Sequence, residues 1–168
     1  MRIRLLSLLL IFSINCFSNT STDLNTFFNN ELFFTQTSIN KLNNTVDESK
    51  GVYLKNNDKS IVIEINSPFR EKYFIHDNEI KIHDLEFNQI KKISIKDKNE
   101  TALINFLING FPENFNNQIK IKEKVFFIDF INENTVQIKF KDNMQIDNII
   151  EFYKKWLAIL YSLELEGR

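Results

Sequence analysis

The stretch GVYLKNNDKSIVIEINSPFREKYFIHDNEIKIHDLEFNQIKKISI, Gly51 to Ile95, decides the fold. Ile61, Ile63 and Ile65 alternate with Val62 and Glu64. Tyr73 to His76 runs into Asp77-Asn78-Glu79, and Ile80-Lys81-Ile82-His83 follows. Ile93 and Ile95 alternate with Lys92, Ser94 and Lys96. Side chains on a strand point to opposite faces with period two, so each run places its isoleucines on one surface. Asp77-Asn78 is a turn signal, because both residues tolerate positive φ and bond back to local backbone. The pattern predicts a meandering antiparallel sheet with one apolar face. The rest of the chain must cover that face, close it, or leave it open to a ligand.

The 168 residues suit one domain with a sizeable core. A formal net charge of −1 gives no basic face for nucleic acid. Phenylalanine occurs 17 times, glycine three times and proline twice. Isoleucine, lysine and asparagine are also abundant. That bias is expected of an AT-rich genome, so the phenylalanine count alone carries no functional meaning.

Arg2 and Arg4 precede an apolar run from Leu5 to Ile14, and small or polar residues follow from Asn15 to Thr22. This is the pattern of a secretory signal peptide over residues 1–18, with Cys16 and Ser18 ahead of the cut. The run is shorter than the ~20 residues that span a bilayer. Losing Arg2 and Arg4 takes the charge from −1 to −3, and the single cysteine leaves with the leader. Without disulfides, the exported domain, residues 19–168, must be held by its core. Cys16 has a second reading, as the lipidated first residue of a bacterial lipoprotein. Asn15 and Ser13 stand where such a site favours a small and a Leu-like residue.

Thr20 to Asp23 are helix N-cap types, and Leu24, Phe27 and Phe28 share one helical stripe. From Leu32 to Ile39 the period is two. Asn40 to Lys50 reads as a polar turn, with Gly51 opening the next strand, Val52 to Lys55. Asn56 to Lys59 is a hairpin turn, and Pro68 breaks the following run. After a charged loop, Lys96 to Glu100, an apolar segment runs from Ala102 to Ile108, then Asn109-Gly110 and Pro112. Gly past the end and Pro beyond it are helix stop signals, which predicts a buried helix over Glu100 to Asn109. Strands resume at Gln118 to Lys122, Lys124 to Ile131 and Thr135 to Lys141. Val125 to Ile128 is continuously apolar, which predicts cover on both faces. Ile149, Ile150, Tyr153, Trp156, Leu157, Leu160 and Tyr161 fit a helix, and equally two strands around Lys154-Lys155.

Sites for chemistry are few. His76-Asp77 and His83-Asp84 form two His-Asp steps, and a hairpin at Asp77-Asn78 would make the histidines near neighbours. Two histidines and two carboxylates could hold a metal for an exported hydrolase or metal-binding β-protein. The competing reading is a polar outer hairpin face with no metal, no cofactor and no enzyme. No Gly-rich phosphate loop or Gly-x-Ser-x-Gly elbow is present.

Several landmarks, in order, give the chain a family resemblance. Phe34-Thr35-Gln36-Thr37 looks like a Phe-x-Gln signature on a first strand. Gly51, Pro68 and Asp77-Asn78 follow at fitting places. Ile80 to Ile90 looks like a strand, an acidic turn and a Gln-hydrophobic pair, and Ala102 to Gly110 like a central apolar helix. Together these resemble the LolA-like periplasmic carriers of outer-membrane lipoproteins, over most of the exported chain. The family's second hairpin usually carries Lys-Arg-Pro, whose arginine latches a helical lid. Here Asn56-Asn57-Asp58 stands instead, with Asn57 at the latch position.

The resemblance implies a mainly β fold with short helices, an incomplete, half-open antiparallel barrel covered by a helical lid, and two strands in place of a C-terminal helix. It implies a monomeric, non-enzymatic carrier in the periplasm of a Gram-negative bacterium. Such a carrier takes acylated lipoproteins or lipids from an inner-membrane lipoprotein-releasing ABC transporter to an outer-membrane acceptor. The expected cavity residues are Phe27, Phe34, Ile63, Ile65, Phe74, Ile82, Leu103, Phe106, Leu107, Phe126 and Ile128; any of them can equally be plain core. The alternatives are a Cys16-lipidated acceptor of LolB type and a β-protein whose core is filled.

Overall fold

The computed structural model describes residues 20–77, 79–95, 102–121, 124–141 and 146–154. Residues 1–19 with Cys16, 96–101 and 155–168, and with them the expected leader, charged loop and end of the last apolar run, lie outside them. In chain order the elements are α1 (Thr20–Phe28), β1 (Leu32–Asn40), β2 (Thr45–Lys55), β3 (Ile61–Ser67), β4 (Glu71–His76), β5 (Glu79–Asp84), β6 (Gln89–Ser94), α2 (Ala102–Asn109), β7 (Gln118–Ile121), β8 (Lys124–Asn132), β9 (Thr135–Lys141) and β10 (Ile146–Lys154). The fold is mainly β. Its described strands form one open antiparallel sheet in the order β6-β5-β4-β3-β2-β1-β10-β9-β8-β7. Every neighbour is a hairpin partner in sequence except β1 and β10, which join two meanders into one sheet. The β1–β10 ladder runs from Leu32↔Lys154 to Asn40↔Ile146.

Both helices lie on one face, and the sheet curls around α1. Phe27 meets Phe130 of β8 with ring centroids 5.9 Å apart, while Phe28 meets Tyr53 of β2 at 5.8 Å. On a flat sheet β2 and β8 would be ~19 Å apart, four strand spacings. One helix, about 10–12 Å across with its side chains, spans that only if the sheet bends inward. The packed core lies under α1. Leu24, Phe28, Leu32, Tyr53, Ile61, Ile128, Val136 and Ile138 are sealed from solvent there.

Local chemistry explains the ends of the elements. The Asn30 side chain donates to the carbonyls of Thr26 (2.7 Å) and Phe27 (3.0 Å), capping the open end of α1. Gly110, at φ 97°, ends α2 and donates its N–H to Phe106 O at 2.8 Å. With so few glycines, asparagine and aspartate supply most left-handed turn positions: Asn44, Asp77, Asn88 and Asn117 all have φ between 51° and 62°. Asp77 turns β4 into β5, with His76 opposite Glu79, as the sequence predicts.

Three expectations are corrected. Asn40 to Lys50 is not one long turn, because β2 begins at Thr45 and its first half pairs with β1. Polarity misleads there, since that half of β2 is exposed on both faces apart from half-buried Ser49, while its β1 partners are half-buried. Gly51 therefore sits mid-strand. A Cβ on it would lie 2.2 Å from Glu64 O and 2.7 Å from the Phe34 ring, so only glycine lets that ring cross the ladder. Val125 to Ile128 is not covered on both faces: Ile128 is buried, whereas Phe127 is 43% exposed on the outer face. The last ambiguity resolves in part, because Ile146–Lys154 is a strand rather than a helix.

Candidate functional site

One cross-strand row shows how the inner face is built. Leu32, Tyr53, Ile63, Tyr73, Ile82 and Lys91 are successive neighbours from β1 to β6. Leu32 and Tyr53 are sealed, Ile63, Tyr73 and Ile82 are half-buried, and Lys91 is exposed. The neighbouring row repeats the gradient: Ile61 and Ile75 are buried, Ile80 is half-buried and Ile93 is 38% exposed. The cause is a shortage of cover. Helices of nine and eight residues are ~14 Å and ~12 Å long. Ten strands at 4.8 Å spacing give a sheet ~43 Å wide. The core packs where α1 sits, and the apolar face continues beyond it.

The half-buried surface is continuous with the core. Ile63 and Ile65 on β3, Phe126 on β8 and Ile150 on β10 pack against it, as do Leu103, Ile104 and Phe106 of α2. Contrary to the buried helix expected there, α2 seals Leu107 but leaves Leu103, Ile104, Phe106 and Ile108 partly open. Aromatic rings link it to α1, through Phe106–Phe111 at 5.7 Å and Phe111–Phe28 at 5.8 Å. Beside them the Asn25 side chain holds the backbone of Phe111. Its Nδ2 donates to Phe111 O at 3.1 Å, and its Oδ1 accepts from Phe111 N at 2.7 Å. This clamp joins α1 to the segment following α2.

Two tyrosines on the inner face differ in their partners. Tyr73 Oη donates to Glu71 Oε2 at 2.5 Å, and burial, with Glu71 second, pushes its phenol up to about 12. Tyr53 Oη is buried without a hydrogen-bond partner among the described residues, and burial pushes its phenol well above the ordinary range. Farther along the face the lining turns polar, with Ser38 Oγ donating to Asn148 Oδ1 at 2.8 Å.

The expected cavity residues divide into three groups. Phe27, Phe34, Leu107 and Ile128 belong to the packed core, each at most 6% exposed. Ile63, Ile65, Ile82, Leu103, Phe106 and Phe126 are on the half-buried wall. Phe74 is on the opposite face, paired with Val62 and Lys81, and the ammonium groups of Lys72 and Lys81 lie 5.4 and 5.9 Å from its ring. Its polar strand-mates Lys72 and His76 were the available signal. Tyr-Phe-Ile is apolar at three consecutive positions, so only the flanking residues tell the faces apart. Tyr53 and Tyr73 were missed for the same reason, each standing within an unbroken apolar triplet.

Asn57 stands exposed at the tip of the β2–β3 turn. That turn is held within itself, by Asn56 Nδ2 to Ser60 Oγ at 2.8 Å and Ser60 N to Asp58 Oδ1 at 2.9 Å. The clamp on the helices is Asn25 instead. The two histidines are not neighbours, because His76 faces Glu79 and His83 faces Lys72 across the β4–β5 ladder. His76 Nδ1 contacts Asp77 at 3.2 Å, and His83 Nε2 bonds Asn88 Oδ1 at 3.0 Å. Among the described residues no three His, Cys, Asp or Glu side chains gather into a metal-holding group. A polar hollow of about 630 Å³ lies between His76, Asp58, Lys59 and the Asn105 and Asn109 side of α2. A second, of about 570 Å³, runs along α1 beside Thr26, Phe27, Phe130 and Lys154.

No family model matches the chain, and no curated protein matches it. Among solved structures it is similar to a LolA superfamily protein from Nitrosomonas europaea. The two share 8% identity at a TM-score of 0.47, over 81% of this chain and 90% of that one. The open, half-covered sheet rests on the pairing described above and not on that likeness.

Proposed function

We propose that this chain is an exported, non-enzymatic carrier that takes the acyl chains of lipoproteins or related lipids against the open part of its inner wall. One observation carries the reading. The apolar inner face runs without a break from sealed core to half-exposed wall, at Ile63, Ile65, Ile82, Phe126 and Ile150. Each acyl CH₂ buried from water is worth about 0.8 kcal/mol, so a protein that encloses the chain between this wall and its cover competes with a bilayer. Isoleucine and phenylalanine make no directional bonds to a hydrocarbon, so release requires only that the cover move. On this reading the chain works in the periplasm, between an inner-membrane lipoprotein-releasing transporter and an outer-membrane acceptor. The basic-then-apolar start at Arg2 to Ile14 supports export.

The test is to purify the chain after export, extract it and measure bound acyl lipid by mass spectrometry, then add a fluorescent fatty-acyl probe to the stripped protein. Co-purified acyl lipid and saturable probe binding are expected. Clean protein that also ignores the probe would end the proposal.

A further inference from the structure

We propose that Tyr53 is the polar anchor of the acyl site, and that its hydroxyl donates a hydrogen bond to the ester or amide carbonyl joining a ligand's acyl chain to its headgroup. This rests on the carrier reading and deepens it. Tyr53 is sealed from solvent, and its Oη has no hydrogen-bond partner among the described residues. Its ring is flanked by hydrocarbon, with Phe28 at 5.8 Å and Phe152 at 5.9 Å, both edge-on. A buried hydroxyl without a partner is costly to fold around, and phenylalanine would fill the same space without that cost. A ligand that supplies the missing acceptor removes the penalty only when bound. The residue is well placed for this, because its cross-strand neighbour Ile63 already belongs to the half-buried wall. Its phenol also remains a neutral donor at ordinary pH, since burial disfavours the phenolate.

The chemistry selects an acceptor. A hydroxyl at the inner end of an apolar wall favours a carbonyl over bare hydrocarbon, and a carboxylate would bring an unpaired charge into the core. Neutral ester- or amide-linked acyl groups are therefore the ligand class, ahead of free fatty acids. Access requires Phe28 to move, and with it α1. The two-bond clamp of Asn25 on Phe111 adds to the ring contacts that seat α1, so loosening it eases the route to the anchor.

The experiment uses purified chain loaded with diphenylhexatriene, a fluorescent hydrocarbon, and displaces it with methyl palmitate or with octadecane. For Tyr53→Phe the affinity for methyl palmitate should fall roughly three- to tenfold, the worth of one hydrogen bond, with octadecane unchanged. The melting temperature should hold or rise, because an unsatisfied group has been removed. Equal displacement curves for wild type and Tyr53→Phe with both ligands would overturn the anchor while leaving the carrier reading intact. A lower melting temperature would overturn it too, by showing that the hydroxyl already has a partner. Wild type that binds neither ligand would sink the carrier reading and the anchor with it. Asn25→Ala should take up the probe several-fold faster; an unchanged rate would overturn the route through α1.

Discussion

Tyr53 and Tyr73 stand in the same cross-strand row, two strands apart, with Ile63 between them. Around Tyr53 the sheet curls under α1, and Phe28 touches four rings: Phe27, Tyr53, Phe111 and Phe152. Around Tyr73 the same sheet continues past the helices, half-open, and the phenol satisfies itself on Glu71. Residue type does not separate the two regions, since both are built of isoleucine and aromatic rings. Cover separates them. The first region holds the protein together; the second has apolar surface to spare.

The largest test of that contrast is Phe28→Ala. Emptying the centre of the ring cluster should cost about 3–5 kcal/mol of unfolding free energy in urea. Phe126→Ala, on the half-buried wall, should cost clearly less; equal costs would mean that the wall is core after all. Gly51→Ala comes next. The new methyl meets the Glu64 carbonyl and the Phe34 ring, so ladder or ring must shift, at about 1–3 kcal/mol by the same urea measurement. Ile82→Ser, on the open region, should cost only about 1 kcal/mol, because much of the side chain is already wet. The same change should lower bound acyl lipid, whereas Phe74→Ser, on the outer face, should leave loading unchanged at a comparable cost of about 1 kcal/mol.

Alkaline titration sharpens the comparison by a smaller amount. The Tyr73 phenol is raised in the folded chain to about 12 from its ordinary 10.0. Its contribution is therefore complete below pH 10 and is lost as pH rises through 12. Tyr73→Phe should flatten the fall in urea midpoint across that window. A slope unchanged by the substitution would show that the phenol is neither as buried nor as closely held by Glu71 in solution as in this structure.

Much of this architecture was readable from local pattern. The isoleucine alternation at Ile61, Ile63 and Ile65 placed an apolar face on β3, and the Asp77 turn placed β4 against β5. The stripe Leu24, Phe27 and Phe28 marked α1, and Gly110 marked the end of α2. Polar alternation hid the first half of β2, because an exposed strand resembles a turn in composition. Apolar triplets hid the faces of Tyr53, Phe74 and Phe127, since period two says nothing where every position is apolar.

By itself, then, the sequence determined most element types, the Asp77 and Asn56–Lys59 turns and the existence of a one-sided apolar sheet, because those depend on neighbours a few residues apart. Only the tertiary structure decided which part of that face is sealed and which stays open. That depends on β1 pairing with β10, more than a hundred residues away, and on how far the resulting sheet curls around a single nine-residue helix.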